Sequence, residues 1–373
     1  MLVPLAEATV DAYGGKAGGL GALIRAGLPV PDGVVVPDGA VADELGQWLH
    51  RMGNPLVAVR SSAANEDTAL SSAAGQHDSF LGVRGLAAAL DAVRACRASV
   101  WSPRAVAYRD GAEAPPMAVI VQLQVDADVS GVMFTGDDAT TIEASWGLGP
   151  SIVEGRVTPD RYEVADGRVT RTIADKRTTL TLTGTQQVPT ARRRSPTLSD
   201  VTAVRLATLA HQAAAALGAP QDLEWAIAAN TPWLLQSRPI TAQPPLPAPS
   251  PTTPASDTPA TLGTGCGTSG ILSGTPGSRG TATGPARIVR GPADFAQVRP
   301  GDILVCPFTD PAWTPLLSIA AGVITEQGGV LSHAAIVARE HQIPAVLAVR
   351  DATSRIPDGA GVTVNGTTGQ IQV

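Results

Sequence analysis

The sequence predicts a mixed α/β (α+β) protein with two folded domains joined by a linker. Its 373 residues exceed what one compact core usually holds. Residues 243–260, QPPLPAPSPTTPASDTPA, are dense in proline and contain no Ile, Val or Phe to bury, which is typical of a semi-extended tether. On both sides of this stretch, short β-branched runs alternate with alanine- and leucine-rich segments, a pattern that predicts sheets flanked by helices. We therefore expect domains at 1–242 and 269–373, with the linker at 243–268.

Composition and charge narrow the classes of function. The net charge of −6 argues against a surface for nucleic acids or anionic membranes. No run approaches the roughly 18 apolar residues of a membrane span, and the first residues, MLVPLAEATVDAYGG, lack the features of a signal peptide. The scattered cysteines Cys96, Cys266 and Cys306 are typical of reduced thiols. We therefore expect a cytoplasmic protein whose partners are neither nucleic acids nor membranes.

The first domain is predicted to contain both strands and helices. Apolar, β-branched runs predict buried strands at LVAVRSS (56–62) and MAVIVQLQV (117–125). An alanine- and leucine-rich stretch with helical spacing predicts a helix over 200–217 that stops at Gly218. The runs DLEWAIA and TPWLLQSRPI are expected to pair as a hairpin around Ala229–Asn230.

The second domain shows a regular alternation of strand and helix patterns. Strands are predicted at ARIVR, DILVCPF, GVITEQ and PAVLAV, and helices at PAWTPLLSIAA and HAAIVAREH. This alternation indicates an α/β domain built around a sheet.

Lysine is rare in this chain and occurs only at Lys16 and Lys176, whereas arginine is common. Lys16 lies in the glycine-rich stretch AYGGKAGGLGALIRAG. Glycines allow a ligand to approach the backbone, and the helix that follows would direct its N-terminus toward that ligand. The stretch lacks GxxxxGK[ST] and is therefore no Walker loop. An ordinary glycine-rich turn before a helix is the alternative.

A second motif follows the first predicted strand. VAVRSSAANEDTALSSAAGQHDSFLGV places Arg60 at the end of the strand, ahead of the acidic pair Glu66–Asp67 and a small-residue loop that runs to Gly75. An arginine there can donate two hydrogen bonds to phosphate oxygens, and a loop of small residues can fold over a nucleotide. The alternative is a solvent-exposed loop with an ordinary ion pair.

The predicted hairpin carries a third motif. Alternation along its strands would place Glu224 beside Gln236 and Arg238. A carboxylate and an amide oxygen suit Mg²⁺, which keeps water and substrate phosphates as its other ligands. A simple cross-strand pair of Glu and Arg is the alternative.

The stretch GGVLSHAAIVARE places a histidine at the start of a predicted helix. Ser332 suits the N-cap position, which puts His333 in the first turn. The helix dipole disfavours the imidazolium there and leaves a neutral, nucleophilic ring, while Gly328 and Gly329 would keep its approach open. This is a coherent site for covalent phosphorylation. An inert capped histidine is the alternative.

The motifs occur together in one order that resembles the phosphoenolpyruvate synthase and pyruvate phosphate dikinase family, and within it rifampin phosphotransferase most closely. The stretches that carry the resemblance are GGKAGGLGALIRAGLPVPDG, VRSSAANED with AGQHDSFLGV, QDLEWAI with WLLQSRPIT, TDPAWTPLLSIAAGVITEQGGVLSHAAIVAREHQIPAVLAV and DGAGVTVNGTTG. They cover nearly all of the chain outside the linker.

The resemblance implies an ATP-grasp nucleotide-binding domain and a small swivelling phosphohistidine α/β domain, with ATP as substrate and Mg²⁺ as cofactor. Carried onto the matching positions, it assigns binding of ATP and its metal to Lys16, Arg60, Gly75, Ser79, Gln122, Glu224, Gln236 and Arg238. Of these, Glu224 and Gln236 would hold Mg²⁺. His333 would carry the phosphoryl group, and Lys176 matches a family lysine more loosely.

One departure from the family concerns the acceptor. Rifampin phosphotransferase has a large substrate domain between the two modules, and the synthase and dikinase have a barrel after the histidine domain. This chain matches neither pattern, because a proline-rich linker stands where the middle domain would be. The expected function is therefore an AMP-forming phosphotransferase that acts through a phosphohistidine on an unspecified small-molecule hydroxyl or amine. Two alternatives stay open: a subunit whose substrate domain is a separate protein, or a phosphocarrier that phosphorylates a partner protein.

Overall fold

The structure is a computed structural model that describes residues 1–37, 42–63, 79–102, 105–106, 116–136, 138–240 and 270–373. Two compact units divide the chain between Gln243 and Pro244, with the short segment Asp310–Ala312 grouped with the first unit. The predicted linker, 243–268, lies outside the described residues.

The first unit contains thirteen strands and six α-helices among its described residues. The strands are β1 Val3–Pro4, β2 Gly33–Val36, β3 Leu56–Ala63, β4 Ser79–Arg84, β5 Met117–Leu123, β6 Val129–Thr135, β7 Thr140–Trp146, β8 Asp160–Ala165, β9 Arg168–Thr172, β10 Thr178–Thr181, β11 Gly184–Gln187, β12 Gln221–Ala228 and β13 Thr231–Pro239. The helices are α1 Val10–Arg25, α2 Ala42–Arg51, α3 Leu86–Ala98, α4 Pro150–Val153, α5 Thr190–Arg193 and α6 Asp200–Leu217. Short 3₁₀ helices lie at Leu5–Glu7 and Ser99–Trp101.

One sheet of this unit has the strand order β1-β2-β5-β3-β4. Its two faces bury different residues because side chains alternate along a strand. On one face Val59 and Val121 pack among residues of α2 and α3. On the other face Ile120 packs against Leu20 of α1. Arg60 lies on this second face, because it is directly opposite Ile120 in the β3–β5 pair.

The larger sheet is antiparallel, with the order β13-β12-β6-β7-β8-β9. Its core face buries Met133, Tyr162 and Trp225 against Leu206 of α6. Gly131 is required there, since a Cβ at that position would lie 2.5 Å from Cζ2 of Trp225. The opposite face carries mainly polar side chains, and it is this face that holds the candidate site.

The second unit contains eight strands and three α-helices within the described ranges. The strands are β14 Ile271–Ser273, β15 Thr275–Ser278, β16 Thr281–Ile288, β17 Ile303–Cys306, β18 Gly322–Thr325, β19 Ala345–Leu347, β20 Gly361–Asn365 and β21 Gln370–Gln372. The helices are α7 Thr314–Leu317, α8 His333–Glu340 and α9 Ala352–Arg355, and 3₁₀ helices lie at Pro292–Gln297 and Pro311–Trp313.

These strands form one sheet in the order β14-β21-β20-β16-β17-β18-β19-β15. The strands β16, β17, β18 and β19 run parallel to one another, and the outer pairs are antiparallel. The loops that leave β17 and β18 therefore start from the same edge of the sheet, because parallel strands share their carboxyl ends. The loop after β18 leads directly into α8 and His333.

The mixed α/β fold class predicted from the sequence is confirmed. Helix α6 has the predicted bounds, Ser199 accepts a hydrogen bond from the amide of Thr202 at its start, and Gly218 ends it in the left-handed region with φ of 77°. The β12–β13 hairpin turns at Ala229–Asn230 as predicted. No helix of the described residues is long and apolar enough to cross a membrane.

Candidate functional site

Arg60 joins the five-stranded sheet and the six-stranded sheet of the first unit at one point. Its Nη2 atom donates to Glu224 Oε2 at 3.0 Å and to Gln236 Oε1 at 2.8 Å. Its Nη1 atom donates to the carbonyl oxygen of Leu235 at 2.6 Å. The Arg60 side chain is only 13% exposed, so these charged and polar groups interact away from bulk water. Three residues more than 160 positions away in the chain thus meet Arg60. The prediction that Arg60 ends its strand was wrong, because β3 continues to Ala63.

Register within the hairpin places the predicted metal ligands side by side. Glu224 on β12 pairs directly with Gln236 on β13, so their side chains share a face of the sheet. The prediction that Glu224 also lies beside Arg238 needs correction. Arg238 is paired with Asp222 instead, and its Nε donates to Asp222 Oδ2 at 2.6 Å. Antiparallel pairing explains the difference, since moving two residues along one strand moves the partner two residues back along the other.

Lys16 lies in the first turn of a helix that begins directly after a kink at Gly14, as the glycine-rich stretch predicted. Helix α1 consists of two helices that meet in a kink at Gly14, which has φ of 84° and ψ of 171°. A Cβ at Gly14 would lie 2.6 Å from the carbonyl oxygen of Ala63, so glycine lets α1 approach the end of β3. Ser62 fixes this approach, because its Oγ accepts from the amide of Ala17 at 3.0 Å. Lys16 itself is buried.

Three other residues predicted to contact ATP, Ser79, Gln122 and Gly75, lie in different surroundings. Ser79 opens β4 and is paired with Arg60 across the strands. Gln122 lies on the same face of this sheet as Arg60, but it is buried and its Nε2 donates to the carbonyl oxygen of Pro31 at 2.9 Å. Gly75 lies outside the described residues. The roles of all three in binding ATP stay predictions.

The residues present fit a magnesium ion that is held jointly with phosphates. Across the described ranges, no cluster of three or more His, Cys, Asp or Glu side chains is suited to a metal. Mg²⁺ does not need one, because it binds through one or two carboxylates and takes its other ligands from water and substrate phosphates. The adjacent Glu224 carboxylate and Gln236 amide oxygen are hard donors of this kind.

His333 is the first residue of α8, and both of its ring nitrogens have threonine partners. Nδ1 lies 2.9 Å from Thr309 Oγ1, and Nε2 lies 3.2 Å from Thr314 Oγ1. Thr309 comes from the loop after β17, so the parallel strand arrangement brings it to the loop that precedes His333. Neither threonine was predicted from the sequence, although the pairing of two such loops follows once β17 and β18 are recognised as parallel neighbours.

The surroundings of His333 differ in two ways from the sequence prediction. Ser332 holds the N-cap position, but its hydroxyl donates to the carbonyl oxygen of Gly329 at 2.8 Å and makes no capping hydrogen bond to the helix. The approach to the ring is also not open, since His333 is only 3% exposed. Chemistry at Nε2 therefore requires the ring to be uncovered and the contact with Thr314 to be released.

Lys176 lies in the interior of the first unit. Its ammonium group forms an ion pair with Asp160, and neither side chain is exposed. The same Nζ donates to the carbonyl oxygen of Ala174 at 3.1 Å. A lysine so enclosed is a structural element of the first unit.

Comparison with known proteins identifies the family. A model described as the AMP/ATP-binding domain of pyruvate phosphate dikinase matches residues 38–255, more than half of the chain. The chain belongs to the phosphoenolpyruvate synthase and pyruvate phosphate dikinase family. A second family model, described as the mobile domain of PEP-utilising enzymes, matches residues 298–369 of this family member, the part that contains His333.

Several curated relatives in this family are phosphoenolpyruvate synthases. The probable enzyme of Methanothermobacter thermautotrophicus is 37% identical over 84% of this chain and 46% of its own length. The enzyme of Aeropyrum pernix is 31% identical over 96% of this chain and 56% of its own length. The Escherichia coli enzyme is 34% identical over 85% and 43%, respectively. This chain thus spans about half the length of the curated relatives it matches.

Solved structures resemble the chain over smaller parts. The D-alanine–D-alanine ligase of Coxiella burnetii aligns with 60% of this chain and 46% of its own, with 12% identity and a TM-score of 0.32.

Proposed function

We propose that this chain performs the nucleotide and phosphohistidine steps of an ATP-dependent, AMP-forming phosphotransferase of the dikinase type. One observation carries the proposal: a chain of this family combines the Arg60–Glu224–Gln236 cluster with a hydrogen-bonded histidine at the start of α8. The arginine of the first group supplies positive charge for a triphosphate, and the two oxygen atoms supply ligands for its metal ion. The histidine supplies a nucleophile.

ATP would bind beside Arg60 of β3, against the polar face of the larger sheet. Arg60, Lys16 and Arg238 would offset the negative charge that develops on the phosphates during transfer. Asp222 would hold Arg238 in position through the 2.6 Å contact described above. Glu224 and Gln236 would hold Mg²⁺, which supplies further charge neutralisation when it is bound.

The hydrogen bonds of His333 support attack by Nε2. If Nδ1 carries the ring proton and donates it to Thr309 Oγ1, the lone pair of the neutral ring is on Nε2. Nε2 then forms a bond to the β-phosphorus of ATP, the bond from that phosphorus to the bridging oxygen of AMP breaks, and AMP leaves. The product is a pyrophosphorylated histidine, whose charge is accommodated by the Thr309 hydroxyl.

Two further steps complete the proposed reaction. Water cleaves the terminal phosphate from the pyrophosphorylated ring and releases inorganic phosphate. A hydroxyl or amine of the acceptor then takes the remaining phosphoryl group, loses its proton to solvent and returns His333 to its neutral form. The overall reaction converts ATP, water and acceptor into AMP, phosphate and phosphorylated acceptor.

The test follows one radioactive label and one product. Wild-type protein incubated with ATP labelled at the β-phosphate should retain acid-labile label and form AMP, whereas His333→Asn should do neither. His341→Asn is a matched control, because His341 is an exposed histidine at the other end of the same helix. Label on the His333→Asn protein, or AMP formation at the wild-type rate, would show that His333 is not the carrier.

A second candidate concerns where the acceptor is bound. A separate polypeptide that supplies the acceptor site is the alternative to a small molecule bound by this chain alone. An acceptor screen with mass spectrometry of the products separates the two. Phosphorylation of a small molecule by the purified chain supports the first, and transfer of label only to an added partner protein supports the second.

A further inference from the structure

The guanidinium of Arg60 binds the same oxygen atoms that are proposed to bind Mg²⁺. One nitrogen, Nη2, contacts both Glu224 Oε2 and Gln236 Oε1, at 3.0 and 2.8 Å. A third oxygen, of the Leu235 carbonyl, accepts from Nη1 at 2.6 Å. A single positive group is thus enclosed by three oxygen atoms, one of them from a carboxylate, in the manner of a bound cation.

A divalent cation and this arrangement of Arg60 oppose each other. Mg²⁺ binds oxygen at about 2.0–2.1 Å, so an ion held by Glu224 and Gln236 would lie within about 5 Å of Nη2 in its present position. Two positive charges at that distance repel each other strongly in a site shielded from water. In addition, the lone pairs that face Nη2 would no longer be available to the metal.

Arg60 also retains a donor that could be used elsewhere. Its Nε atom is buried and has no hydrogen-bond partner among the described residues. Such a donor costs free energy when it stays unpaired. A phosphate group placed beside Arg60 would satisfy this donor and would draw the guanidinium away from the carboxylate, because arginine binds phosphate oxygens in pairs.

We propose that Arg60 is a built-in competitor of the metal, one that exchanges the Glu224–Gln236 oxygens for nucleotide phosphates. The cation then binds tightly only when a triphosphate is present to accept Arg60. This arrangement makes metal binding depend on nucleotide binding and keeps Glu224 neutralised in the absence of both. The inference rests on the proposed function, specifically on Glu224 and Gln236 as the cation ligands.

The experiment measures binding of Mn²⁺, a paramagnetic substitute for Mg²⁺, to the full chain by electron paramagnetic resonance. Titrations are run with no nucleotide and with a non-hydrolysable ATP analogue. In the wild type the analogue should tighten Mn²⁺ binding by about tenfold or more, since the repulsion from Arg60 is removed. In Arg60→Met, Mn²⁺ alone should bind about tenfold more tightly than in the wild type, and the effect of the analogue should shrink.

Three further variants make the result specific. Arg60→Lys keeps the positive charge and should bind Mn²⁺ alone almost as weakly as the wild type. Arg287→Met is the matched control, because Arg287 is another partly buried arginine paired with carboxylates, those of Asp302 and Asp358, in the second unit. It should leave Mn²⁺ binding unchanged. Glu224→Gln removes the proposed ligand and should weaken Mn²⁺ binding with the analogue present.

The outcomes separate this inference from the function on which it rests. If Glu224→Gln weakens Mn²⁺ binding but Arg60→Met binds Mn²⁺ alone no more tightly than the wild type, the site is right and the competition is wrong. If Glu224→Gln has no effect, the cation site itself is wrong and the inference fails with it. The nucleotide dependence of the wild type is a test that needs no folded variant: equal Mn²⁺ affinity with and without the analogue overturns the proposal.

Discussion

Lys176 and Asp160 form an ion pair in which neither side chain is exposed to solvent. Asp160 is held from several sides, because Oδ1 accepts from the amide of Ala174 at 2.9 Å and Oδ2 accepts from the amide and hydroxyl of Thr197, each at 2.9 Å. The pair therefore joins the start of β8 to the segments that precede β10 and α6. It is a structural junction of the larger sheet and is separate from the polar cluster around Arg60.

Replacement of Lys176 by Met should strongly destabilise the first unit. The substitution leaves the Asp160 carboxylate buried without its counter-charge, and loss of one partner of such a pair costs about 3–5 kcal/mol. Urea unfolding at neutral pH measures the change. Arg171→Met is the control, since Arg171 and Asp200 form an exposed pair with side chains 49% and 58% accessible; its loss should cost less than about 1 kcal/mol. Equal effects of the two substitutions would contradict a structural role for Lys176.

Thr309 should control which nitrogen of His333 is reactive. Thr309→Val removes the partner of Nδ1, so the tautomer with its lone pair on Nε2 loses support. We expect phosphohistidine formation to slow by about tenfold or more through lost orientation, with little change in the KM for ATP. Thr309→Ser keeps a hydroxyl and should restore most of the rate.

Nitrogen chemical shifts of labelled histidine give a readout that general destabilisation would not reproduce. The wild type should show the Nδ1-protonated form, and Thr309→Val should show a mixture of tautomers. Thr314→Val provides a contrast, because its contact with Nε2 must break before that atom reacts; this variant should slow the reaction less than Thr309→Val. A larger loss in Thr314→Val would reverse the assigned roles of the two ring nitrogens.

Elements with local signals could be predicted from the sequence, and contacts between distant segments could not. The serine cap and terminal glycine of α6 lie next to the helix they delimit, and the two-residue turn of the β12–β13 hairpin lies between its strands. In contrast, the contact of Arg60 with Glu224 depends on how two separate sheets meet. No local pattern encodes that arrangement. The pairing of Thr309 with His333 likewise requires the order of parallel strands, which single strands do not reveal.

The glycine-rich stretch around Lys16 shows how one composition allows two interpretations. Its glycines predicted a turn that leads into a helix, and the structure has a kink at Gly14 from which a helix continues through Lys16 to Arg25. Glycine serves there for close packing, since the position faces the backbone of Ala63. The glycines indicate that something approaches the backbone closely at this point. The sequence alone cannot tell whether a bound ligand or a neighbouring strand makes that approach.

Tyr162 should make the first unit sensitive to alkaline pH. Its side chain is buried and its hydroxyl lies 3.3 Å from Thr197 Oγ1. Burial raises the pKa of Tyr162 above its ordinary value near 10, although the hydrogen bonds from Thr197 and Leu198 act in the opposite direction. The unfolded chain then loses the phenolic proton first as pH rises, so the contribution of Tyr162 to stability is complete below about pH 10 and declines above it.

The measurement compares the pH dependence of unfolding in two proteins. Tyr162→Phe cannot ionise, so its free energy of unfolding should fall less steeply than that of the wild type between about pH 9.5 and 11. Values at about pH 8, below the titration of either state, give the pH-independent cost of the lost hydroxyl. Parallel curves for the two proteins across the alkaline range would show that Tyr162 ionises equally easily in the folded and unfolded chains.

A substitution in the hairpin turn between β12 and β13 should stabilise the first unit. Ala229 and Asn230 both have positive φ, 47° and 61°, the backbone of a type I′ turn, in which Asn and Gly are favoured at these positions. A residue with a Cβ other than Asn or Asp pays about 1 kcal/mol to adopt this region, so Ala229→Asn should raise the free energy of unfolding by about 0.5–1 kcal/mol. Asn230→Ala should lower it by a similar amount. Urea unfolding of both variants provides the measurement. Destabilisation by Ala229→Asn would contradict the prediction. It would mean that asparagine disturbs the turn geometry on which the 3.1 Å hydrogen bond from the Ala229 amide to Asp128 depends.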